Sequence, residues 1–429
     1  MKFIDNIDKK TYDNFVDNHK LSTFMQCFDW GKFKSIHEWD MYTVGVSQND
    51  KIVASTLLLR RKLPGMNKYI FYAPRGLLVD YRNKELFEFF IKNLRVFCIK
   101  NKGVFLRFDP ILKKQKHNLE GDVIEGENSL DIINKLKQKG FAYKGNSTNF
   151  EGFQPRFVMH LDISEDIDSI FKNFHKKTQY NIKLASRRGI EVREGKKEDL
   201  EEFYRIMKIT GERDGFRTRQ IKYFEEMYDY LVDNDRMKLF IARYNPKKLL
   251  NELLNKQKDL SKQLDRVIKK LEDLEDGQLK DKNIKKKEKL EEDLNKLKHQ
   301  IEKTKEDTNK YKDGVVVSGT IAMRTNRSVC YLYGASDNNY RNYMPNYLIQ
   351  WEMIKWAKER NAEIYDFRGI SGKIDENDHL FGLYRFKKGF NPEFVEYVGE
   401  FDLIFNKLLY FVFEKGVPIL KKCRKIIKK

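Results

Sequence analysis

A segment in the second half of the chain, residues 246–313, has a hydrophobic pattern that differs from the rest. Leucine, valine and isoleucine recur at intervals of three, four or seven residues, first over 253–274 and again over 290–301, while aromatic side chains nearly vanish. This spacing is typical of the a and d positions of a coiled coil. Because Asp276-Gly277 interrupts the pattern, it predicts two helices that form an antiparallel coiled-coil hairpin.

The flanks of this hairpin have the composition of β-strands. Residues 237–243 before it and 315–323 after it are rich in β-branched and other apolar side chains, which favours strands. The coiled coil is therefore predicted to be an insertion between two adjacent strands of a larger domain.

The predicted elements repeat along the chain in one order. In the first half the pattern predicts helices at 9–18 and 30–34, strands at 42–47, 52–60 and 68–73, a helix at 84–100 and a strand at 104–108. In the second half it predicts helices at 167–186 and 199–213, strands at 237–243, 315–323 and 329–333, a helix at 347–359 and a strand at 363–367. The repetition predicts an α/β (α+β) fold with two tandem acyltransferase domains of the GNAT type.

The repeat also sets the expected domain boundaries. The first GNAT-like domain is predicted over 1–153 together with 392–410, two strand-like stretches expected to pack back on it. The second is predicted over 154–391, with the coiled-coil arm at 246–313 inside it. Residues 411–429 are predicted to form a basic amphipathic tail.

The charge of the chain narrows the class of partner. Lys and Arg total 84 against 64 Asp and Glu, a formal net charge of +20. The arm holds 20 basic and 16 acidic residues, a net of +4, so +16 of the +20 lies on the globular body. Such a surplus favours an anionic partner: nucleic acid, a phosphorylated substrate or an anionic membrane face. The alternative explanation of the net charge is a lysine-rich composition without functional meaning. The alternative for the arm is a solvated structural strut that contacts no partner.

Several classes of protein are disfavoured by what the sequence lacks. No apolar run approaches the ~20 residues of a membrane span, and charged residues follow Met1 directly, so we expect a cytoplasmic protein without a secretory signal. The four cysteines are too far apart for a metal or redox motif, and we expect free thiols. Nucleotide-binding loops, zinc-protease motifs and nucleophile elbows are missing, and we expect no metal.

The loop that binds the pyrophosphate of acyl-CoA in GNAT-type domains is also missing. Its place in the second half is occupied by residues 341–347, with the sequence RNYMPNY. Acyl-CoA is therefore not expected as the acyl donor.

Seven segments resemble, in order, the motifs of the Fem aminoacyltransferases, the family of FemA, FemB, FemX and MurM. They are 26–34 (QCFDWGKFK), 72–76 (YAPRG), 106–110 (LRFDP), 213–219 (RDGFRTR), 331–336 (YLYGAS), 365–369 (YDFRG) and 384–390 (YRFKKGF). No single motif is decisive, but their order and the coiled-coil insertion make the resemblance specific. It covers nearly the whole chain outside the tail.

The resemblance implies a reaction. Such enzymes transfer an amino acid from aminoacyl-tRNA to the side-chain amine of the third residue of a peptidoglycan stem peptide, which builds the interpeptide bridge. The implied partners are aminoacyl-tRNA, as co-substrate without a further cofactor, and lipid II or UDP-MurNAc-pentapeptide. A GNAT-fold acyltransferase with another acyl donor and a non-catalytic RNA-binding protein are the alternatives.

The resemblance also implies residues that bind the precursor. Lys34 and Arg219 match the pair that binds its pyrophosphate, for which a lysine point charge and a forked arginine are physically suited. Tyr223 and Tyr333 match tyrosines that line the substrate. Taken alone, each cation is equally consistent with a surface side chain, and each tyrosine with a core residue.

Two further matches concern the chemistry. Asp109 matches a carboxylate near the acceptor amine, and its alternative is a turn-forming Asp before Pro110. Lys387, in the Phe386-Lys387 pair, matches the lysine that stabilises the oxyanion as the amine attacks the ester, and its alternative is a surface lysine. Phe386 is expected to contact substrate.

The end of the chain suggests a membrane contact. Apolar side chains at 408–413 precede seven basic residues with no acidic residue after Glu414. The segment is too short and too charged to span a bilayer, but it is typical of a helix at an anionic lipid surface. We expect the protein to be peripheral at the cytoplasmic membrane face. The alternative is a solvated tail whose apolar face packs on the first domain.

Overall fold

The computed structural model describes residues 1–145, 147–378 and 380–426, with side chains described as far as residue 416 in the last segment. It is a mixed α/β structure with two sheets, one of seven strands and one of eight. Among the described residues, no helix is long and apolar enough to cross a membrane.

The N-terminal third supplies most of the first sheet and the helices that cover it. Its elements are β1 (Lys2–Ile4), α1 (Lys9–Asn18), α2 (Phe28–Ser35), β2 (Asp40–Gln48), β3 (Lys51–Lys62), β4 (Tyr69–Ala73), α3 (Lys84–Lys100), β5 (Gly103–Phe108), β6 (Lys113–Lys116), α4 (Leu130–Gln138) and β7 (Ala142–Tyr143). Local capping fixes two of these helices, because Asp8 and Asn83 accept hydrogen bonds from the backbone of the first turns of α1 and α3.

The rest of the chain supplies most of the second sheet. Its elements are β8 (Phe157–Asp162), α5 (Ile167–Asn173), α6 (Lys176–Arg187), β9 (Ile190–Glu194), α7 (Leu200–Asp214), α8 (Ile221–Leu231), β10 (Met237–Tyr244), α9 (Pro246–Glu272), α10 (Gln278–Lys310), β11 (Val315–Arg324), β12 (Ser328–Ser336), α11 (Pro345–Glu359), β13 (Ile364–Gly369), α12 (Phe381–Lys388), β14 (Glu393–Tyr397), β15 (Phe401–Ile404) and α13 (Lys407–Ile426).

The two sheets share one topology at their centres. In the first, β2, β3 and β4 form an antiparallel meander, and α3 then crosses over so that β5 lies parallel to β4. In the second, β10, β11 and β12 form the meander, and α11 crosses over so that β13 lies parallel to β12. The duplicated order predicted from the sequence is therefore confirmed, and the protein consists of two GNAT-like domains.

The coiled-coil arm leaves the second domain between β10 and β11. Tyr244 and Val315 are register partners at the base of these strands, and α9 and α10 pack together along the arm. The seam is formed by apolar side chains at heptad positions, with Val267, Leu290, Leu294, Leu297 and Ile301 buried. An antiparallel hairpin results because the two helices are joined by only a short turn, 273–277.

The strands are divided between the two sheets differently from the predicted domain boundaries. Residues 392–410 were predicted to pack on the first domain, and β15, beside β5, and the start of α13 do so. The prediction is wrong for β14, which pairs with β8 in the second sheet, and β6 of the N-terminal third joins that sheet through β14. The consecutive strands β14 and β15 therefore belong to different sheets, and the chain passes from the second domain to the first between them.

One predicted helix, 167–186, is two helices in the structure. Phe174 and His175 between α5 and α6 have extended backbone conformations. Phe174 is buried in the core of the second domain, and the His175 ring accepts a hydrogen bond from the Lys177 N–H and so caps α6. Tertiary burial of Phe174 breaks a segment that contains no glycine or proline.

The two domains share an apolar core. Side chains of α1 and α2 from the first domain and of α7 and α8 from the second form one buried cluster, including Val16, Phe33, Phe203, Phe224 and Met227. A continuous core of this kind holds the domains in one arrangement. It also sets α2 directly against α8, the contact on which the candidate site depends.

Candidate active site

Two of the predicted site cations meet where α2 packs against α8. Lys34 lies in the last turn of α2, and Arg219 lies two residues before the start of α8. Both cations lie over the ring of Tyr223, with Lys34 Nζ 5.6 Å and the Arg219 guanidinium carbon 5.1 Å from its centroid. Residues 185 positions apart in sequence therefore form one cationic group, which we call the cation pair.

Aromatic packing positions this group. Phe33 of α2 contacts the Tyr223 ring edge-on at 5.0 Å, and Lys34 also lies 5.6 Å from the Trp30 ring. Phe224, the next residue of α8, packs edge-on against Tyr333 of β12 at 5.3 Å. The predicted substrate tyrosines Tyr223 and Tyr333 are thus neighbours of the cation pair, each half-buried.

The electrostatics of the pair favour an anion. The pKa of Lys34 is lowered to about 8, chiefly by burial and in addition by the charges of Arg219 and Arg61. Among the described residues, neither Lys34 nor Arg219 has a carboxylate within salt-bridge distance. A bound anion would therefore relieve the repulsion between two adjacent cations that have no acidic partner.

Sequence reasoning did not single out two residues beside the pair, His37 and Arg61. His37 stacks on the Tyr223 ring at 5.2 Å and lies 3.7 Å from Glu226, and burial lowers its pKa. Arg61, at the end of β3, lies over the Trp39 ring and pairs with Glu38. The run Arg60-Arg61-Lys62 was a visible signal, but nothing in the sequence places it near α8.

Lys387 lies in the interior of the second domain. It is buried on α12, and its Nζ donates hydrogen bonds to the carbonyl oxygens of Gly369 at 2.7 Å and Arg368 at 3.4 Å. Burial lowers its pKa to about 7, against the opposing attraction of Asp366. The alternative of a surface lysine is wrong, because only 3% of Lys387 is exposed.

The backbone around Arg368 orients the acceptors of Lys387. Arg368 has a φ of 64°, in the left-handed region that costs a non-glycine residue energy. Two contacts hold this conformation: the Arg368 N–H donates to Asp366 Oδ1 at 2.6 Å, and its guanidinium donates to Gln154 Oε1 at 2.8 Å. Arg368 is therefore a positioning residue for Lys387.

Asp109 lies at the end of β5, between the two domains. Its Oδ1 accepts a hydrogen bond from the Arg75 N–H at 2.8 Å, and its Oδ2 lies 3.5 Å from the Arg75 guanidinium. Burial raises its pKa, while the Arg75 charge opposes the shift. Asp109 and Arg75 are both buried, so this carboxylate is a member of an internal ion pair rather than a surface turn residue.

Phe386 packs within the second domain rather than beside the cation pair. Its ring lies 4.9 Å from Tyr347 and 5.6 Å from Phe390, in edge-on contacts. It is partly buried at the margin of the core cluster that includes Phe367.

Strand β12 connects the two groups of site residues. It pairs with β13 over only three residues, 328–330 with 364–366. Beyond this point Tyr333 continues on β12 toward the cation pair, while Arg368 and Gly369 continue on β13 toward Lys387. Cys330, at the point of divergence, is within electrostatic range of Arg368, Arg75 and Lys387.

Arg75 and Arg368 contact the predicted site residues Asp109 and Lys387, and sequence reasoning did not single them out. Each stands before a glycine, in the segments 72–76 and 365–369, and each has a positive φ of 58° and 64° respectively. Both segments were recognised as motifs, so the Arg-Gly pairs were the available signal. Their roles were not predictable, because the contact of Arg368 with Gln154 and that of Arg75 with the Pro155 carbonyl depend on the tertiary arrangement.

Comparison with known proteins agrees with the fold. A model of the FemAB family matches residues 7–415. A lipid II:glycine glycyltransferase of Staphylococcus epidermidis is 32% identical over 430 residues, covering 98% of this chain and 97% of that protein. One of Staphylococcus aureus is 30% identical over 428 residues, covering 97% and 96%.

A solved structure is similar over the same extent. The crystal structure of FemX superposes with a TM-score of 0.81 at 28% identity, covering 97% of this chain and 100% of that chain. The family match contains both GNAT-like domains, the arm, the cation pair and Lys387. The chain therefore belongs to the FemAB family and is a transferase of that family.

Proposed function

We propose that this protein transfers an amino acid from aminoacyl-tRNA to the side-chain amine of the third residue of the stem peptide of lipid II, and so builds the peptidoglycan interpeptide bridge. The observation that carries the proposal is the cation pair, Lys34 and Arg219 on one tyrosine ring without an acidic partner. The names of the relatives, lipid II:glycine glycyltransferase, support the same substrate and the same class of reaction.

The cation pair suits a pyrophosphate. Two cations on one aromatic platform match two adjacent phosphate groups, and the arginine fork binds phosphate oxygens through paired hydrogen bonds. Binding also returns Lys34 toward its ordinary pKa, because the anion offsets the burial that lowers it. We therefore assign Lys34 and Arg219 to the precursor pyrophosphate, and Tyr223 and Tyr333 to the adjoining part of that substrate.

The proposed transfer needs one cation at the reacting carbonyl. The acceptor amine attacks the ester carbon, the carbonyl oxygen becomes an oxyanion, the bond to the tRNA ribose oxygen breaks, and the proton lost by the amine passes to that oxygen. An ammonium has three N–H donors, of which Lys387 directs two at the carbonyls of Gly369 and Arg368. The third is assigned to the oxyanion, as preorganised electrostatic stabilisation.

Asp109 is assigned to the surroundings of the acceptor amine. Its partner Arg75 offsets part of the cost of burying a negative charge, and a carboxylate attracts an approaching ammonium group, which must lose a proton before it attacks. Phe386, which precedes Lys387 on α12, is assigned to contact with the substrate.

The donor is proposed to be a charged tRNA rather than acyl-CoA. Helix α11, which follows β12, begins with Pro345, whose ring nitrogen has no hydrogen to offer a phosphate. The net charge of +20 suits a polyanion of the size of tRNA. An aminoacyl ester is already activated, so the proposed reaction uses no cofactor, and since charged tRNA is cytoplasmic, we place it at the cytoplasmic membrane face.

The test is a transfer assay with a mixture of charged tRNAs and lipid II, read by the mass of the product. We expect lipid II to gain the mass of one aminoacyl residue, with fragmentation that locates it on the third stem residue. UDP-MurNAc-pentapeptide in a parallel reaction distinguishes the lipid-linked from the nucleotide-linked acceptor. An unchanged acceptor mass with every charged tRNA contradicts the proposal, and transfer from acyl-CoA without tRNA replaces it by the alternative donor.

A further inference from the structure

The C-terminal helix α13 is fixed to the first domain by one of its faces. Tyr410 and Phe413 pack against Phe105 of β5, with ring centroids 5.2 and 5.1 Å apart. Leu409 belongs to the same cluster, whose buried members include Leu63. This inner face accounts for only part of the apolar surface of the helix.

Polar contacts fix the rotation of α13 about its axis. The Tyr410 hydroxyl donates to Asp402 Oδ2 at 2.8 Å, and Arg107 donates to Glu414 Oε1 at 3.1 Å. Lys144 also pairs with Glu414. Because Asp402 and Arg107 are buried in the first domain, the helix cannot rotate without breaking an internal ionic network.

The outer face of the same helix is apolar and exposed. Leu408, Phe411 and Val412 are 73%, 60% and 51% exposed, and their spacing of three and one places them on one side of an α-helix. We call these three residues the outer stripe. The alternative from the sequence, an apolar face packed on the first domain, holds only for the inner residues.

The inner face of α13 is linked to the cation pair by a series of contacts. The cluster under α13 includes Trp39 and Met66, and Arg61 lies 5.7 Å from the Trp39 ring. Arg61 is also one of the charges that lower the pKa of Lys34. A short series of contacts therefore leads from α13 to the proposed pyrophosphate site.

Basic residues on α13 and in the turn between β3 and β4 have no acidic partners in the described part of the chain. Lys407 and Lys415 flank it on α13, and Lys62 and Lys68 lie at the ends of the turn that contains Met66. Among the described residues, none of these four lysines forms a salt bridge. The sequence after Glu414 contains seven basic residues and no acidic one, although 427–429 lie outside the described residues.

We propose that the outer stripe and these lysines form a surface that binds an anionic phospholipid bilayer. An apolar stripe flanked by cations is the pattern of helices that lie in the interface of a membrane. Binding of this kind brings the protein to the bilayer that holds a lipid-linked substrate. This last clause rests on the proposed function, whereas the binding of lipid does not.

The direct test is co-sedimentation of the full-length protein with vesicles of phosphatidylglycerol and with vesicles of phosphatidylcholine. We expect binding to phosphatidylglycerol, and a loss of at least about tenfold in the partition coefficient for the triple variant Leu408→Ser, Phe411→Ser, Val412→Ser. These side chains are exposed, so the variant should fold, which circular dichroism checks. The matched control is Val96→Ser, Ile99→Ser on α3, two positions that are 59% and 52% exposed.

Each result decides the proposal. Loss of binding in the triple variant with normal binding in the control supports it. Equal binding of wild type and triple variant overturns it, and so does an equal loss in both variants. A change from dimer to monomer in the triple variant, with vesicle binding unchanged, overturns it in favour of a second copy of this chain as the occupant.

Activity separates this proposal from the proposed function. We expect the triple variant to turn over a water-soluble lipid II analogue with a short prenyl chain at the wild-type rate, and bilayer-embedded lipid II at least about tenfold more slowly. If neither substrate is turned over by wild type while vesicle binding depends on the stripe, only the proposed function fails. If the triple variant turns over both substrates at the wild-type rate, the membrane surface plays no part in the reaction.

Discussion

Burial gives Lys387 properties that the same residue type lacks at the surface. Its neighbour Lys388 is half-buried, pairs with Glu120 at 2.8 Å, and has a raised pKa because of that hydrogen bond. Lys387 has carbonyl partners instead of a carboxylate, and its pKa falls to about 7. Two adjacent lysines on one helix thus differ in charge at neutral pH, which offers a matched comparison.

Replacing Lys387 by glutamine should remove the stabilisation of the oxyanion. We expect kcat for aminoacyl transfer to fall by about 10²- to 10³-fold, the usual effect of losing one such donor, with little change in the affinity for lipid II. Lys388→Gln is the control and should retain activity within about twofold, because its exposed ion pair contributes little. A Lys387→Gln enzyme with wild-type kcat would refute the assignment.

The pH dependence should report the charge of Lys387. Only the ammonium form stabilises an oxyanion, so the ratio of kcat/KM for wild type to that for Lys387→Gln should fall as the pH rises above about 7. Stability should change in the opposite direction. Between pH 7 and 10.5 the unfolded chain binds more protons at this lysine, so the free energy of unfolding of wild type should rise relative to Lys387→Met.

The cation pair should govern the affinity for the precursor. Arg219→Ala and Lys34→Ala should each raise the Kd for lipid II by about 10- to 100-fold, as expected for a charge-assisted hydrogen bond. Arg219→Lys should be intermediate, because the charge remains and the fork is lost. Lys222→Ala is the control, an exposed cation on α8 that pairs with Glu226. Isothermal titration calorimetry checks the order, and equal affinity of Arg219→Ala and wild type would contradict it.

At the scale of elements, the arm is a separate insertion between β10 and β11 of the second domain. Its base is tied to the second domain, since Leu249 is buried in that core and the Tyr244 hydroxyl bonds Asp307 at 3.1 Å. Its outer half carries a lysine-rich stretch at 280–289, with six lysines against two acidic residues. This distribution is suited to contact with a tRNA backbone beyond the active site.

Shortening the arm should weaken the binding of tRNA and leave the binding of lipid II unchanged. Removing residues 258–292 and closing the helices with a Gly/Ser turn leaves Leu249 and Asp307 in place, so the domain should fold. We expect the KM for charged tRNA to rise by roughly tenfold and its dependence on salt to become shallower, because contacts with phosphates are lost. The Kd for lipid II should not change. Unchanged tRNA kinetics would make the arm a strut.

The elements that the sequence predicted correctly are those with local signals. Helices α1 and α3 begin after Asp8 and Asn83, whose side chains cap them, and the predicted bounds agree with the structure. Strand β6, with the sequence Lys113-Lys-Gln-Lys116, was missed because its four polar residues show no alternation. Its pairing with β14, almost 280 residues later, depends on the tertiary fold alone.

The site was predictable only in part, because its residues are also brought together by the tertiary fold. No spacing in the sequence connects Lys34 with Arg219, and only the resemblance to a family suggested that they act together. The burial of Lys387 was not predicted, because its segment, Arg385-Phe-Lys-Lys388, has three cations and suggests an exposed helix. What decides its environment is the backbone of Arg368 and Gly369, which belongs to another element.

At the scale of the whole molecule, an ionic cluster reinforces the shared core of the two domains. Arg236 of the second domain makes two hydrogen bonds to Asp17 of the first, at 2.7 and 2.8 Å. It also lies 3.8 Å from Asp13 and 3.9 Å from Asp29. Because the cation pair also spans the two domains, the stability of this contact and the geometry of the site are coupled.

Breaking the cluster should destabilise the protein as one unit. We expect Arg236→Met to lower the free energy of unfolding by about 3 kcal/mol, since it leaves Asp17 partly buried without its partner. Urea unfolding followed by circular dichroism measures the change. The control is Lys197→Met, which removes an exposed pair with Asp229 and should change the free energy of unfolding little. A similar small loss in both variants would show that the cluster adds little to the interface.

The insertion of the arm has a consequence for how the chain folds. Tyr244 and Val315 must meet to form the β10–β11 pair, and 70 residues separate them. Closing a flexible loop of that length costs roughly 2 kcal/mol more than closing one of five residues. If α9 and α10 form their hairpin first, contacts between the two helices bring its ends together. The entropic cost of closing the loop is then met before the strands pair. The arm then favours the pairing of the strands from which it extends. This effect on folding does not depend on any partner that the arm binds.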